Sequence, residues 1–219
     1  MSIVLHIFPS SPRTFKVLSV AKYLNLAVDI KVVDLTKNEH RESDYFALNP
    51  NMRVPTLQDG DFILWESNAI LQYLALKVPE AGLLPLDERG RIDVTRWQFW
   101  DLAHWDPACG SIISENLVKP FVMKSGEPDP AVIAKATGFF HRTAAVLDGQ
   151  LSKRRFVTGD RLTLADFSLA APLNYARVAG LPLESYGAIR RWYRTMSAMP
   201  AWEATMAANI PRALIAEPV

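Results

Sequence analysis

The sequence has little cysteine and no excess of charge of one sign. Cys109 is the only cysteine among 219 residues, so no disulfide can form within the chain and no Cys-x-x-Cys redox pair exists. A single thiol fits a reducing cytoplasm. The 24 Lys and Arg residues nearly balance the 23 Asp and Glu residues, so neither nucleic acid nor a membrane surface is expected as a partner. No apolar run approaches the length of a membrane-spanning helix.

Strand patterns are absent after residue 90. Before it, short apolar runs at residues 3–8, 28–35, 56–58 and 62–64 predict four strands, with helical spacing after the first, second and fourth. The predicted order is β-α-β-α-β-β-α. After residue 90, helices are predicted at residues 92–118, 131–151, 164–178, 188–198 and 201–209, so this part is expected to be all-α. Pro107 is expected to bend or divide the first of these helices.

The segment 79–87 contains two prolines and a glycine and predicts a linker. We therefore divide the chain into residues 1–78, an α/β domain, residues 79–90, a linker, and residues 91–219, an all-helical domain. In the last of these, Thr163 and Asp166 have the spacing of a helix-capping box. Replacing Asp166 by Ala is expected to cost about 1 kcal/mol of stability, the usual effect of a lost cap.

The segment from Val54 to Ile70 is the most informative part of the sequence. The turn at Gly60 predicts a β-hairpin. Pro55 suits the beginning of the first hairpin strand, one of the few places where a sheet admits proline. Ser67 suits the N-cap of the helix that follows.

Val54-Pro55, the hairpin and Glu66-Ser67-Asn68-Ala69-Ile70 occur in an order and spacing that resemble the glutathione-binding half of the glutathione S-transferase superfamily. The resemblance implies a thioredoxin-like first domain with a cis peptide bond before Pro55, an all-helical second domain and a homodimer. It also implies glutathione as the co-substrate and no metal. Several linked motifs are more specific than a single short one.

The charged groups and the backbone of glutathione suggest a binding role for Val54, Glu66 and Ser67. Val54, preceding the cis Pro55, would pair with the tripeptide as with an added strand. Glu66 would hold the γ-glutamyl ammonium group, and Ser67 with the helix N-terminus would bind the γ-glutamyl carboxylate. The alternative is that Glu66 is a surface charge and Ser67 only a cap.

The glycyl carboxylate of glutathione requires a cation. His40 and Arg53 match basic residues of the theta class of the superfamily. For both residues, an ordinary solvated surface charge is the alternative.

The loop at residues 9–12 contains the candidates for activating the thiol of glutathione. A free thiol has a pKa of about 8.5, which a hydroxyl donor at a helix N-terminus can lower. Ser11, followed by Pro12, suits an N-cap, and it stands where serine-type transferases of the theta, phi and zeta kinds have their catalytic serine. Ser10 is the second candidate, and Ser11 could be a cap alone. The loop has no Tyr or Cys, which disfavours the tyrosine-type, omega and beta classes.

The sequence thus predicts a cytosolic, serine-type glutathione transferase, closest to theta-like or nu-like bacterial members, that conjugates glutathione to a hydrophobic electrophile. The alternatives are a non-catalytic binding or regulatory protein of the same fold, and a glutathione-dependent peroxidase, dehalogenase or disulfide reductase. The Ser-Pro-Arg-Thr sequence at residues 11–14 departs from the Thr-Pro-Asn-Gly of the nu class, which weighs against the reductase.

The electrophile pocket is less clear in the sequence. Trp97, Trp100 and His104 share one helical face, which the resemblance places near the second-substrate cleft. An aromatic core at the domain junction is the favoured interpretation of these residues. Residues 115–117 and the tail at 211–219 are candidates for covering the pocket. Cys109, among apolar neighbours, is expected to be an inert core residue.

Overall fold

The computed structural model describes residues 2–209. The first part has the predicted order of elements: β1 Ile3–Ile7, α1 Pro12–Tyr23, β2 Val28–Val32, α2 Ser43–Leu48, β3 Thr56–Asp59, β4 Phe62–Trp65 and α3 Ser67–Lys77. The four strands form one sheet in the order β2-β1-β3-β4. Strand β1 runs parallel to β2 and antiparallel to β3, and β3 runs antiparallel to β4. The predicted α/β fold is therefore confirmed.

Strand β1 lies inside the sheet, between β2 and β3, and its side chains are mostly buried. Leu5, Ile7 and the β3 residue Leu57 are almost fully buried, as expected for an interior strand. Helices α1 and α3 pack against each other. The chain leaves the buried end of β1 at Ile7 and turns directly into α1, which fixes the position of the loop that contains Ser10 and Ser11.

The second part is helical, as predicted. Its α-helices are α4 Glu88–Trp100, α5 Asp106–Ile113, α6 Pro130–Leu151, α7 Leu164–Ala170, α8 Ala176–Ala179, α9 Gly187–Ser197 and α10 Pro200–Asn209. Helix α4 begins at Glu88, inside the predicted linker, where the Asp87 side chain caps it by accepting from the Gly90 N–H at 2.8 Å. The division of the chain at residues 79–90 stays a prediction. Within residues 2–209 no helix has the length and apolarity needed to cross a membrane.

Two π-helical segments interrupt the predicted helix at residues 92–118. The segment Asp101–Trp105 separates α4 from α5, and Ser114–Val122 follows α5. Pro107 lies in the first turn of α5, directly after the first π-helical segment. A proline lacks the N–H of a regular helix, and a π turn accommodates the missing bond. The prediction that Pro107 divides this helix is confirmed.

The start of α7 is held by the buried carboxylate of Asp166. The Thr163 N–H donates to its Oδ2 at 2.9 Å, while the Val157 N–H and the Trp192 Nε1–H donate to its Oδ1, each at 2.9 Å. The predicted capping box is therefore confirmed, but its carboxylate also joins the preceding loop to α9. Burial raises the pKa of Asp166 to about 6, against the opposing effect of these hydrogen bonds.

Candidate functional site

A cleft of about 720 Å³ lies between the two parts of the protein. Every predicted site residue except Ser10 contributes to its wall. The lining residues are Ser11, Arg13, Leu35, His40, Arg41, Asn49, Asn51, Met52, Arg53, Val54, Pro55, Glu66, Ser67, Leu102, Asp106 and Met123. The structure thus brings together residues from β1–α1, the loop before β3, the start of α3 and the second part of the chain.

Val54 lies on one wall, directly before the cis Val54–Pro55 peptide bond. Two side chains fix this loop from behind: the Tyr45 hydroxyl and the Asn49 amide both donate to the Arg53 carbonyl, at 2.5 and 2.9 Å. Within residues 2–209 the amide and carbonyl of Val54 have no main-chain hydrogen-bond partner. An extended peptide can therefore use both groups, as in β-strand addition.

Glu66 and Ser67 line the cleft beside the cis peptide bond, because Thr56, directly after Pro55, pairs with Trp65, directly before Glu66. Glu66 is the N-cap residue of α3, with φ of 70°, and Ser67 is the first helical residue. The prediction that Ser67 is the N-cap is thus wrong by one position. A positive φ is unusual for a residue with a side chain and is typical of functional sites. Glu66 is exposed, whereas Ser67 is buried, so the site offers a carboxylate beside the hydroxyl and N–H groups of a helix N-terminus.

The structure separates the two candidate serines. Ser11 is the N-cap of α1 and its Oγ accepts from the Thr14 N–H at 3.4 Å, as predicted. A hydroxyl that accepts one hydrogen bond can still donate another, and Ser11 lines the cleft. Ser10 is not part of the cleft wall; its carbonyl accepts from the Tyr175 hydroxyl at 2.7 Å. The geometry therefore favours Ser11 over Ser10.

One end of the cleft is basic. His40, Arg41 and Arg53 line it together. The pKa of His40 lies below its ordinary value of 6.5, because burial removes water and the positive charges of Arg41 and Arg53 disfavour a proton there. The Nδ1 atom of His40 is buried and has no hydrogen-bond partner in the described part of the chain. Arg41 was not predicted as a site residue. Its position next to His40 in a polar segment is the one sequence signal that indicates a role in the site.

The wall from the second part of the protein consists of Leu102, Asp106 and Met123. Asp106, in the second part, forms an ion pair with Arg13, in the first part. The sequence did not predict Leu102, Asp106, Met123 or Arg13 as site residues. Arg13 and Asp106 are 93 residues apart in the chain, so no local pattern links them.

The aromatic residues of α4 do not line the cleft. Trp97 is buried, and its ring contacts that of Trp100 with centroids 5.2 Å apart. Trp100 in turn contacts His104, with centroids 6.0 Å apart. Trp97 is therefore a core residue, as the favoured interpretation has it, whereas Trp100 is half-buried and His104 is exposed. Cys109 is also buried, as predicted, and burial raises the pKa of its thiol well above the ordinary value.

The residues proposed to cover the pocket have other contacts. The Glu115 carboxylate accepts from the Lys119 ammonium at 3.0 Å and from the Asp129 N–H at 2.8 Å, so it holds the loop before α6. The Asn116 amide donates to the Ala179 carbonyl at 2.8 Å. Neither residue lines the cleft. The tail at residues 211–219 lies outside the described residues.

A buried polar network lies behind the cleft. The Lys16 ammonium donates to Asn68 Oδ1 at 2.7 Å and to Asp101 Oδ2 at 3.0 Å. Ser168 also donates to Asn68 Oδ1, at 2.9 Å. Burial raises the pKa of Asp101, although the Lys16 charge opposes this rise. The network joins α1 and α3, whose first turns form the cleft, to two helical segments of the second part.

Comparison with known proteins agrees with this architecture. Residues 1–76 match the family model of the glutathione S-transferase N-terminal domain, and residues 130–195 match that of a glutathione S-transferase C-terminal domain. "Glutathione S-transferase 3" of Zea mays is 33% identical over 215 residues, covering 93% of each chain. The chain therefore belongs to the glutathione S-transferase family.

Two solved structures support the assignment. The structure of glutathione S-transferase III in its apo form has a TM-score of 0.84 and 31% identity, with 96% of this chain and 98% of that chain covered. The glutathione transferase URE2P6 of Phanerochaete chrysosporium, in complex with oxidized glutathione, has a TM-score of 0.84 and 25% identity, with 95% and 96% covered. These plant and fungal relatives give no support to the expected closeness to theta-like or nu-like bacterial members.

Within residues 2–209, no group of three or more His, Cys, Asp or Glu side chains is placed to hold a metal ion.

Proposed function

We propose that the protein is a glutathione transferase that binds glutathione in this cleft and activates its thiol through Ser11. The observation that carries the proposal is that Ser11, Val54, Glu66 and Ser67 line a single cleft. Membership of the glutathione S-transferase family supports it, as does the oxidized glutathione in the URE2P6 relative.

The charges of the cleft match those of glutathione. The γ-glutamyl ammonium would lie against the Glu66 carboxylate, and the γ-glutamyl carboxylate against Ser67 and the N–H groups that begin α3. The cysteinyl backbone would pair with the amide and carbonyl of Val54, which have no main-chain partner within residues 2–209. The glycyl carboxylate would reach the basic end formed by His40, Arg41 and Arg53. The thiol then lies on the Ser11 side.

His40 gives this arrangement a pH dependence. A glycyl carboxylate beside His40 favours the charged imidazolium, so its pKa is higher in the complex than in the free protein, where it lies below 6.5. Because the complex binds a proton more tightly than the free protein does, glutathione affinity should increase as the pH falls from about 7.5 to about 5.5. We expect His40→Gln to remove most of this increase, as measured by titration calorimetry.

The matched control is His141→Gln. His141 is an exposed histidine whose Nδ1 lies 2.9 Å from the Tyr186 hydroxyl, and it does not line the cleft. The His141→Gln variant should keep the wild-type pH dependence of glutathione affinity. An unchanged pH dependence in His40→Gln would remove His40 from the glutathione site.

The thiolate would be stabilised by the Ser11 hydroxyl together with the N-terminus of α1, which has no acidic residue in its first turn. This is the serine-type mechanism. The subclass stays a prediction. The departure of residues 11–14 from the nu-class pattern still weighs against disulfide reductase activity.

Conjugation to an electrophile is distinguished from mere binding by a direct assay. The wild type should be retained on immobilised glutathione and should transfer glutathione to 1-chloro-2,4-dinitrobenzene with release of chloride. Leu102 and Met123 supply the apolar wall expected for an aromatic ring. Retention without turnover of any aromatic halide or organic peroxide would favour the binding-protein alternative.

We also propose a cytosolic homodimer. Large apolar side chains are exposed on the hairpin, on α3 and on α4: Phe62, Trp65, Leu76, Ile92 and Phe99. Exposed apolar patches of this kind are typical of interfaces. Around Ile92, helix α4 presents both acids and bases, among them Glu88 and Arg96, which suits a self-complementary twofold contact. Sedimentation equilibrium measures the assembly directly.

A further inference from the structure

Among the described residues, the ion pair between Arg13 and Asp106 is the charged feature of the cleft that glutathione does not account for. Arg13 lies in the first turn of α1, two residues after Ser11, and Asp106 is the first residue of α5. Both side chains line the cleft with Ser11. The pair therefore stands on the thiol side, where the electrophile must approach.

The guanidinium of Arg13 keeps unused hydrogen-bond donors. Asp106 is its only side-chain partner among the described residues, and the contact uses Nη2 alone. The Arg13 side chain is 44% exposed, whereas that of Asp106 is 15% exposed. A guanidinium has several N–H donors in a fork that matches a carboxylate. Arg13 can thus accept a second carboxylate while it keeps its contact with Asp106.

The other walls of the cleft indicate which kind of electrophile fits beside Arg13. Leu102 and Met123 are apolar and lie on the same side of the cleft as Asp106. The carboxylate of Glu66 and the basic end at His40 are occupied by the two ends of glutathione in the proposed complex. Within residues 2–209, an electrophile therefore meets an apolar surface and the guanidinium of Arg13.

We propose that Arg13 selects electrophiles that have a carboxylate on an apolar, aromatic-sized body. The inference rests on the proposed transferase function and names the substrate class of the same site. Arg13 acts as a specificity residue: it binds a substituent, while Ser11 stabilises the sulfur. Asp106 positions the guanidinium and at the same time competes for it.

The probe is 4-chloro-3-nitrobenzoate. The thiol first loses its proton to solvent; the sulfur electron pair then forms a bond to the ring carbon that holds chlorine, and the ring and nitro group take up the displaced π electrons. The carbon–chlorine bond breaks with its electron pair, so chloride leaves and the ring is restored. The carboxylate, opposite the reacting carbon, stays unchanged on Arg13. The matched neutral probe is 4-chloro-3-nitrobenzamide, which has the same reacting group.

The measured quantity is the ratio of kcat/KM for the benzoate to kcat/KM for the benzamide. Arg13→Met should lower this ratio by about 10- to 100-fold, the effect of losing a hydrogen-bonded charge. Arg13→Lys should retain part of the preference, because it keeps the charge but loses the fork. Asp106→Asn should raise the ratio by about two- to tenfold, since it removes a competing negative charge.

The outcomes separate this inference from the proposed function. Absence of turnover with both probes and with 1-chloro-2,4-dinitrobenzene in the wild type would overturn the transferase function and this inference with it. Turnover of 1-chloro-2,4-dinitrobenzene without turnover of the benzoate would overturn the inference alone. Turnover of both probes with an equal loss in Arg13→Met would overturn the inference alone. If Arg13→Met does not fold, Arg13→Lys and Asp106→Asn test the inference instead. A benzoate-to-benzamide ratio of kcat/KM that is unchanged in both variants would contradict the role of Arg13.

Discussion

Replacing Ser11 by Ala is expected to lower kcat/KM for conjugation by about 10- to 100-fold. A hydrogen bond to a charged group contributes about 1.5–3 kcal/mol, and each unit of pKa corresponds to about 1.4 kcal/mol. The pKa of the bound glutathione thiol should therefore rise by about 1 to 2 in Ser11→Ala. The thiolate absorbance of the complex, followed against pH, measures this rise separately from turnover.

Ser10→Ala is the matched control. The observed contact of Ser10 is made by its backbone carbonyl, which accepts from Tyr175, so removing the side-chain hydroxyl should leave both the thiol pKa and the turnover close to those of the wild type. The opposite pattern, a normal Ser11→Ala and an impaired Ser10→Ala, would transfer the thiolate role to Ser10. An effect of Ser11→Ala on stability alone would show that Ser11 is only a cap.

Replacing Asp166 by Ala is expected to lower the free energy of unfolding by at least about 3 kcal/mol. The sequence predicts a lost cap of about 1 kcal/mol, but the structure gives the carboxylate three N–H donors, from Val157, Thr163 and Trp192. Each buried donor left without a partner costs about 1–3 kcal/mol. Denaturant unfolding at a single pH measures the change.

Asp160→Ala serves as the control for this measurement. Asp160 is exposed in the loop just before α7, so its loss should change the free energy of unfolding by no more than about 0.5 kcal/mol. A change of only about 1 kcal/mol in Asp166→Ala would mean that the cap is its whole contribution. The three donors would then find water or other partners in the variant.

Sequence patterns predicted the parts of the site that depend on neighbouring residues. The N-cap at Ser11, the Val54–Pro55 turn and the Glu66–Ser67 pair are each local, because capping and turn chemistry act over a few residues. The one-residue error at the start of α3 arises because Glu66, with its positive φ, takes the N-cap position. A serine pattern alone cannot reveal that backbone conformation.

The remaining part of the site depends on contacts between distant segments. Arg13 and Asp106 are 93 residues apart, and Ser10 and Tyr175 are 165 residues apart, so no local spacing joins them. The wall that would face the electrophile was missed in the sequence for a second reason. A helical wheel of 3.6 residues per turn does not hold through the π-helical segment Asp101–Trp105, so the spacing of residues in α4 does not predict which later residues face the cleft.

The buried ammonium of Lys16 has a consequence for how glutathione enters. Separating the first part of the protein from the second would break the contact of this ammonium with Asp101 and that of Asn68 with Ser168. Because these contacts join the two parts, we expect the cleft to keep its width when glutathione binds. Binding should then change mainly the side chains that line the cleft.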